Sequence, residues 1–382
     1  VLKNSKITNM DENLIRLGLV FLTGFFVTYF AIPSILEIAY KKNLFDIPDE
    51  RKVHKRAIPS LGGVGIFVGV LIAFTVWATP EVLGMKSYRF ILTSYFILFF
   101  MGLKDDLIIM KALPKLIIQI GVACLLVYSG IRITNLFGIF GIYVLNYYVS
   151  FVLSVFFIVG VTNAFNLIDG IDGLAGGLGG INCLTFGALM YIYEQYEFAI
   201  LALAIGGSLL AFLRYNFSSY PTKIFMGDTG SLLLGLTVSI LSIVFMNTSA
   251  QSGSLGVISP PIVVLGIIFI PIMDTFRVII IRILSGRSPF SPDRNHIHHQ
   301  FLESGVTHKM ASIALYMINI ALVVTVIVFH RSESTLLGVL ILFVGSASTQ
   351  ILVFLRYKKR DRRVDDLNKK LDLLKKENQF LR

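Results

Sequence analysis

Long uncharged apolar runs, of which Leu17–Leu36 and Val144–Ala164 are two, constrain this chain more than any other feature. A run of about 18 or more apolar residues reads as a bilayer-spanning helix. Only 15% of the 382 residues are charged and 55% are hydrophobic, whereas soluble domains carry roughly 25% charge. The mean hydropathy is +0.76, so a globular core is not the organising principle. The net charge of +11 then reports membrane orientation before anything else, and no nucleic-acid partner is expected. The two cysteines, Cys124 and Cys183, lie inside apolar runs and read as small buried hydrophobes, with no disulfide framework or zinc site.

About eleven spans are expected, near residues 15–37, 64–79, 88–103, 115–131, 147–164, 176–193, 197–213, 230–246, 260–284, 311–330 and 334–356. The first run is too long for a signal-peptide core and reads as a retained helix. With the N-terminus outside, the odd gaps between spans hold Lys41, Lys42, Arg51, Lys52, Lys55 and Arg56, then Lys104, Lys111, Arg214, Lys223, Arg287, Arg294 and Lys309. The even gaps hold little beyond Lys86, Arg89, Arg132 and Arg331. The positive-inside bias therefore selects an N-out/C-in topology. The expected fold is an all-α polytopic integral membrane protein, with a membrane-embedded domain over residues 1–356. Residues 357–382 form a basic amphipathic C-terminal helix on the cytoplasmic side. Val364, Leu367, Leu371, Leu374, Asn378 and Leu381 step by three and four there. Such a stripe suits self-association into a homodimer or an amphipathic helix on the anionic inner leaflet.

With that orientation, the polar clusters fall on the cytoplasmic face, which makes it the active face. Asp105 and Asp106 end the third span beside Lys104. Carboxylates near a bilayer need a partner cation or a metal. Neighbours on a helix point about 100° apart, so the expected split is one acid at the reaction centre and one paired with Lys111 or Lys115. A solvated helix end is the plain alternative. In Asn163-Ala-Phe-Asn166-Leu-Ile-Asp169-Gly-Ile-Asp172-Gly173, four polar residues recur every third position after an apolar span. That spacing drifts about 60° per step on a helix. Gly170 and Gly173 point to a helix that opens and lets these groups converge on something small and charged. The alternate-residue ligand spacing of a calcium loop is absent.

Phe225-Met-Gly227-Asp228-Thr229-Gly230-Ser231 suits a tight loop at a helix N-terminus, where backbone N–H groups can face a phosphate. A carboxylate beside such a site commonly brings in Mg²⁺. A capped turn between helices accounts for the same residues. Ser291-Pro292-Asp293-Arg294-Asn295-His296-Ile297-His298-His299 reads as a helix start, with Ser291 at N-cap and Pro292 at N1. On that helix His296 and His299 share a face and His298 turns away. Phosphate contact, a metal and a structural role all remain open for these histidines, though the i, i+4 pair of a helical zinc site is missing. The first cytoplasmic gap adds Lys52 and His54 as candidate phosphate contacts. Asp274 and Arg277, three apart within the ninth span, are spaced to pair. Together these clusters suit phosphoryl chemistry between one lipid and one soluble reactant.

At these motifs the sequence resembles the polyprenyl-phosphate N-acetylhexosamine-1-phosphate transferase family, whose members span ten or eleven helices. The resemblance runs from the first cytoplasmic loop to His299. It implies Mg²⁺, or Mn²⁺, at Asp228, and Asp105 and Asp106 at the lipid phosphate, with Asp169 and Asp172 also catalytic. Phe225 would stack on uracil assisted by Asn216. Lys52, His54, Lys115, Asn163, Asn166, Arg294, His296, His298 and His299 would bind substrate. The Asp-Arg-Asn-His-x-His-His form resembles the bacterial branch that uses UDP-N-acetylglucosamine, the WecA and TagO type. Three consecutive histidines mark the branch acting on UDP-MurNAc-pentapeptide, and Ile297 interrupts them here. The implied reaction makes undecaprenyl-diphospho-GlcNAc and UMP in the bacterial plasma membrane, at the start of a surface polysaccharide or wall polymer.

Other classes fit less well. A transporter expects ionisable residues at the bilayer midplane between two repeated halves, and these acids cluster at inner helix ends. A lipid-binding scaffold would not need so many carboxylates and histidines. A membrane prenyltransferase expects extended Asp-rich motifs, but Leu107, Ile108 and Ile109 follow Asp105–Asp106. UDP-GalNAc or UDP-MurNAc-pentapeptide as donor is the nearest alternative.

Overall fold

The computed structural model describes residues 2–45, 58–139, 141–251, 259–288, 296–329 and 345. The apolar runs form helices α1 (Leu2–Lys42), α2 (Gly62–Trp77), α4 (Met85–Leu107), α5 (Ala112–Ser129), α6 (Tyr147–Ile168), α7 (Leu174–Ile192), α8 (Tyr196–Asn216), α9 (Gly227–Gln251) and α13 (His308–Val328). Short helices α3 (Pro80–Leu83) and α12 (Ile297–Glu303) link them, and α10 (Pro260–Ile267) and α11 (Phe269–Leu284) occupy the ninth expected span.

Among the described residues, seven helices are long and apolar enough to cross a membrane, or eight if the α10–α11 pair is one span. The 16-residue α2 and α4, which has charges at both ends, fall outside that set. The eleventh span and the C-terminal helix lie outside the described residues.

Two expectations need correction. The ninth span is not one straight helix: α10 and α11 meet at an 81° bend around Ile268. Pro271 lacks an N–H and its ring opposes the carbonyl four residues back, so it is tolerated in the first turn of α11 but not in one continuous helix. The fold is also not purely helical. Between α5 and α6 an antiparallel hairpin pairs β1 (Asn135–Ile139) with β2 (Ile142–Val144).

Helix α9 is the axis of the bundle, with its apolar window wholly enclosed. It is apolar all round, as a helix surrounded by others must be. Its hydroxyls bond back to their own helix, Thr237 to Leu233 O and Ser242 to Val238 O. Helices α2, α4, α6, α7, α8 and α10 pack on it.

Chain direction sorts the two ends. α4 finishes at Asp105–Asp106, α5 runs away from that end for about 27 Å, and α6 returns to Asp169. α9 starts beside them at Asp228. At the far end Asn247 of α9 accepts from Thr134 Oγ1 at 2.8 Å and donates to Arg132 O at 2.8 Å, tying α9 to the hairpin. Arg16, Glu197 and the turn after α2 form a second tie, with Arg16 3.1 Å from Glu197 and Thr79 N–H donating to Glu197 at 2.7 Å. The acids thus gather at one end of the bundle and the hairpin closes the other.

Candidate functional site

The N-terminus of α9 is the hub. Gly227 turns into the helix with φ +71°, and a Cβ there would lie 2.2 Å from Ser60 O and 2.6 Å from Asp106 Oδ1. Only glycine accepts both the positive φ and that approach. Asp106 then caps α9 from the neighbouring α4. It accepts the N–H of Asp228 at 2.7 Å, the N–H of Thr229 at 3.0 Å and the Thr229 hydroxyl at 2.6 Å. The phosphate-facing loop expected from the sequence is therefore a helix terminus whose first amides are aimed at Asp106, because a carboxylate held against a positive helix end outcompetes water.

Asp105 turns the other way. It accepts the Met110 N–H at 2.6 Å and pairs with Lys115. The same Lys115 ammonium lies 2.9 Å from Asp228 Oδ2. Of the two lysines weighed from the sequence, Lys115 makes the pair.

Helix α6 opens at Asp169, and Gly173, left-handed at φ 78°, starts α7. The four polar residues of that run do not converge on one partner. Asn163 donates to Gln119 at 2.6 Å, one turn deeper than the acids. Asn166 donates to Ser231 at 3.0 Å and bonds Asp228. The Asp169 carboxylate faces the charges of Asp228 and Asp106 and takes no side-chain hydrogen bond from a described residue, while its N–H donates to Asn166 O. Asp172 pairs with Lys223 at 2.6 Å, with His308 Nδ1 at 3.5 Å from the same oxygen.

Lys223 also lies 5.7 Å from the centre of the Phe225 ring, within cation–π reach. Phe225 is held through its backbone: its N–H donates to Pro59 O and its carbonyl accepts from Gly62 N–H, both at 2.8 Å. Asn216 is spent on structure. Its Oδ1 accepts Gly173 N–H at 2.5 Å and its Nδ2 donates to Ile224 O at 2.8 Å. It positions Phe225 through the adjoining residue.

The histidines are arranged differently from the sequence expectation. Helix α12 begins at Ile297, so His296 is its N-cap and lies outside the helical spacing. His298 is consequently not turned away. Its ring stacks parallel to His296 with centroids 5.7 Å apart, and lies 4.3 Å from His299. His298 rests over Gly170, where a Cβ would sit 2.1 Å from its Nε2. Its Nδ1 is buried without a hydrogen-bond partner among the described residues. Asp274 of α11 holds the motif from behind. It accepts the Ile297 N–H at 2.7 Å, lies 2.8 Å from His296 Nδ1 and pairs with Arg277 at 3.2 Å. Lys52, His54, Ser291, Pro292 and Arg294 lie outside the described residues.

Burial and mutual repulsion set the acids' charge states at this end, beyond the apolar runs. Burial pushes the Asp169 carboxyl up to about 8, with the charges of Asp228, Asp106 and Asp172 adding to it. Burial likewise pushes Asp106 up to about 7 against its donors. Asp105 is raised by burial and then by Asp228, with Lys115 opposing. Burial, then His299, lowers His298 to about 3, so it is a neutral imidazole. Among the described residues, no three acids, histidines or cysteines are arranged as ligands of one ion. Mg²⁺ takes only one or two carboxylates and keeps its waters. Hard oxygen donors, and an Asp169 carboxylate without a side-chain donor among the described residues, fit it.

The sequence reading missed Lys223, His308 and Gln119. Lys223 was legible only as a charge for orientation, although its place two residues before Phe225 was a signal. Gln119 and His308 lie far in sequence from what they bind.

The family model described as glycosyl transferase family 4 matches residues 88–246. The probable undecaprenyl-phosphate N-acetylglucosaminyl 1-phosphate transferase of Bacillus subtilis is 35% identical over 351 residues, 90% of this chain and 93% of that protein. The decaprenyl-phosphate N-acetylglucosaminephosphotransferase of Mycobacterium leprae is 33% identical over 326 residues, 79% of this chain and 81% of that protein. An undecaprenyl-phosphate alpha-N-acetylglucosaminyl 1-phosphate transferase of Yersinia pestis is 31% identical over 289 residues, 73% and 75% of the two chains. Membrane helices, acids gathered at one end of the bundle, and relatives matched along most of their length make this multi-pass membrane protein a member of the polyprenyl-phosphate N-acetylhexosamine-1-phosphate transferase family.

Proposed function

We propose that this chain transfers N-acetylglucosamine-1-phosphate from UDP-N-acetylglucosamine to undecaprenyl phosphate, releasing UMP, with Mg²⁺ or Mn²⁺ held at Asp228. The observation that carries this reading is the gathering of Asp105, Asp106, Asp169 and Asp228 at the start of α9, where Lys115 pairs with Asp105 and Asp228. Among the described residues, Lys115 is the one ammonium paired with these four acids, and a divalent cation and anionic substrates would complete the site. The cation supplies neutralisation of phosphate charge as the bond to phosphorus changes.

The protein's own groups divide the work. Phe225, steadied by Asn216 and flanked by Lys223 and Asp172, is the platform for the base. The neutral His298 has a buried Nδ1 suited to a polar group of the sugar phosphate. Lys115 and the corner between α4 and α5 face the lipid phosphate. A phosphate monoester is largely ionised at neutral pH, its second pKa being about 6. A general base is therefore not required for attack on the β-phosphorus. Direct in-line attack is preferred over its rival, a covalent aspartyl intermediate, and the ties of Asp105 to Lys115 and Met110 and of Asp106 to α9 leave neither of these two acids poised as a nucleophile. Trapping a phosphorylated protein from UDP-N-acetylglucosamine alone would sink it.

We place the acids on the cytoplasmic side of the bacterial plasma membrane, in an N-out/C-in chain of about eleven spans, on the strength of the Lys and Arg bias. The test is incubation with undecaprenyl phosphate, Mg²⁺ and radiolabelled UDP-N-acetylglucosamine. Label in lipid with matching UMP, lost in Asp228→Ala, establishes the reading. Transfer only from UDP-GalNAc or UDP-MurNAc-pentapeptide changes the donor and keeps the chemistry.

A further inference from the structure

Lys115 stands between two carboxylates from different parts of the site. Its ammonium pairs with Asp105 of α4 and lies 2.9 Å from Asp228 of α9, and those two acids are themselves within hydrogen-bond contact. The lysine reaches in from the first turn of α5, and its side chain keeps 24% of its exposure, so the flexible stem has room to swing. Asp105 is anchored independently by the Met110 N–H at 2.6 Å. It can keep hold of Lys115 when Asp228 is lost as a partner. On the exposed side of the same corner lie Leu107, Ile108, Ile109 and Leu113, an apolar surface beside which a lipid phosphate can approach.

An ammonium and a divalent cation repel one another and cannot both hold one carboxylate oxygen at low cost. We propose that Lys115 is a displaceable counter-ion. It neutralises Asp228 before the divalent cation arrives, is expelled from it when the cation binds, and then carries its charge, still anchored at Asp105, to the incoming lipid phosphate. The inference rests on Asp228 being the cation ligand proposed above. Metal binding thereby frees the positive charge that the acceptor phosphate needs, so the site becomes competent for the lipid only once it is loaded. The same lysine must weaken metal binding, which a purely structural lysine or a simple phosphate ligand would not do.

The experiment is a titration of Mn²⁺ alone into the purified full-length protein, read by electron paramagnetic resonance of the free ion. Wild type, Lys115→Met, Lys115→Arg and Asp228→Asn are compared. Asp228→Asn is expected to lose the site. Lys115→Met is expected to bind Mn²⁺ on the order of tenfold more tightly than wild type, because the competing charge is gone, while its lipid-transfer turnover falls. Lys115→Arg keeps the charge and should bind no more tightly than wild type. Equal or weaker binding by a folded Lys115→Met, with Asp228→Asn still losing the site, overturns the displacement and leaves the metal reading standing. If the methionine variant does not fold, tighter binding by Lys115→Arg overturns the displacement instead. Binding that Asp228→Asn leaves intact overturns the metal reading and this inference with it.

Discussion

Asp106 and Asp169 show how two acids of one cluster come to opposite tasks. Asp106 accepts three hydrogen bonds from Asp228 and Thr229 at the positive end of α9, whereas the Asp169 carboxylate faces like charge with no donor among the described residues. Removing the Thr229 hydroxyl in Thr229→Val costs Asp106 one of its three donors. About 1–2 kcal/mol of stability should be lost, with turnover reduced about tenfold as the cap on Asp228 loosens. Thr229→Ser should restore both in thermal melts and in the transfer assay. The pH dependence follows from the raised carboxyls. Asp169, at about 8 in the folded chain, and Asp106, at about 7, both exceed the unfolded value of about 3.9. Their contribution to stability is therefore complete below about pH 4 and is lost as pH rises through about 7 and 8. A cation that needs the ionised acids binds with release of protons. Stabilisation by Mg²⁺ in thermal melts should accordingly be small at pH 6 and larger at pH 8. Equal stabilisation at the two pH values would count against these acids facing the metal.

At the level of elements, single side chains hold the segments of the site to the bundle. Asn216, at the end of α8, joins the start of α7 to the segment carrying Phe225, by bonds to Gly173 and Ile224. Asn216→Ala leaves both backbone groups unpaired in a buried place, at a cost of about 1–3 kcal/mol. The base platform should shift with it, so KM for the UDP-sugar is expected to rise more than kcat falls. A fall in kcat alone would show that Phe225 does not depend on this pin. Gly170 sets the distance between the opened end of α6 and α12. In Gly170→Ala the new methyl meets the His298 ring and must push α12 outward. A loss of at least tenfold in kcat/KM is expected, with melting little changed, because His298 moves while the bundle core does not.

Across the whole molecule, the acids sit at one end of the bundle and the hairpin at the other. In a background with Cys124 and Cys183 replaced by serine, Lys111→Cys and Tyr143→Cys report the two ends. Both positions are exposed, Tyr143 at 65%. The N-out/C-in orientation predicts that a membrane-impermeant thiol reagent labels Tyr143→Cys in intact cells and Lys111→Cys only after the cells are opened. The reverse pattern would invert the topology. Equal labelling of both in intact cells would contradict the opposed ends themselves.

Hydropathy marked the apolar runs that form most of the described helices, because a bilayer helix must be apolar over its own length, and each run carries that requirement locally. The motifs at Asp105–Asp106, Asn163–Gly173 and Phe225–Ser231 were legible for the same reason, since each combines its chemistry with its own turn. What the chain alone did not reveal is who faces whom. The α9 amides are taken by Asp106 from 122 residues away, and His308 reaches Asp172 across 136. Asp274 of α11 orients His296 across 22 residues, and the bend between α10 and α11 is one that apolar content could not report. Hydropathy is a sum over neighbours in sequence. A partner for a buried charge is chosen by whichever helix end packing brings within about 3 Å, and only the tertiary structure decides that.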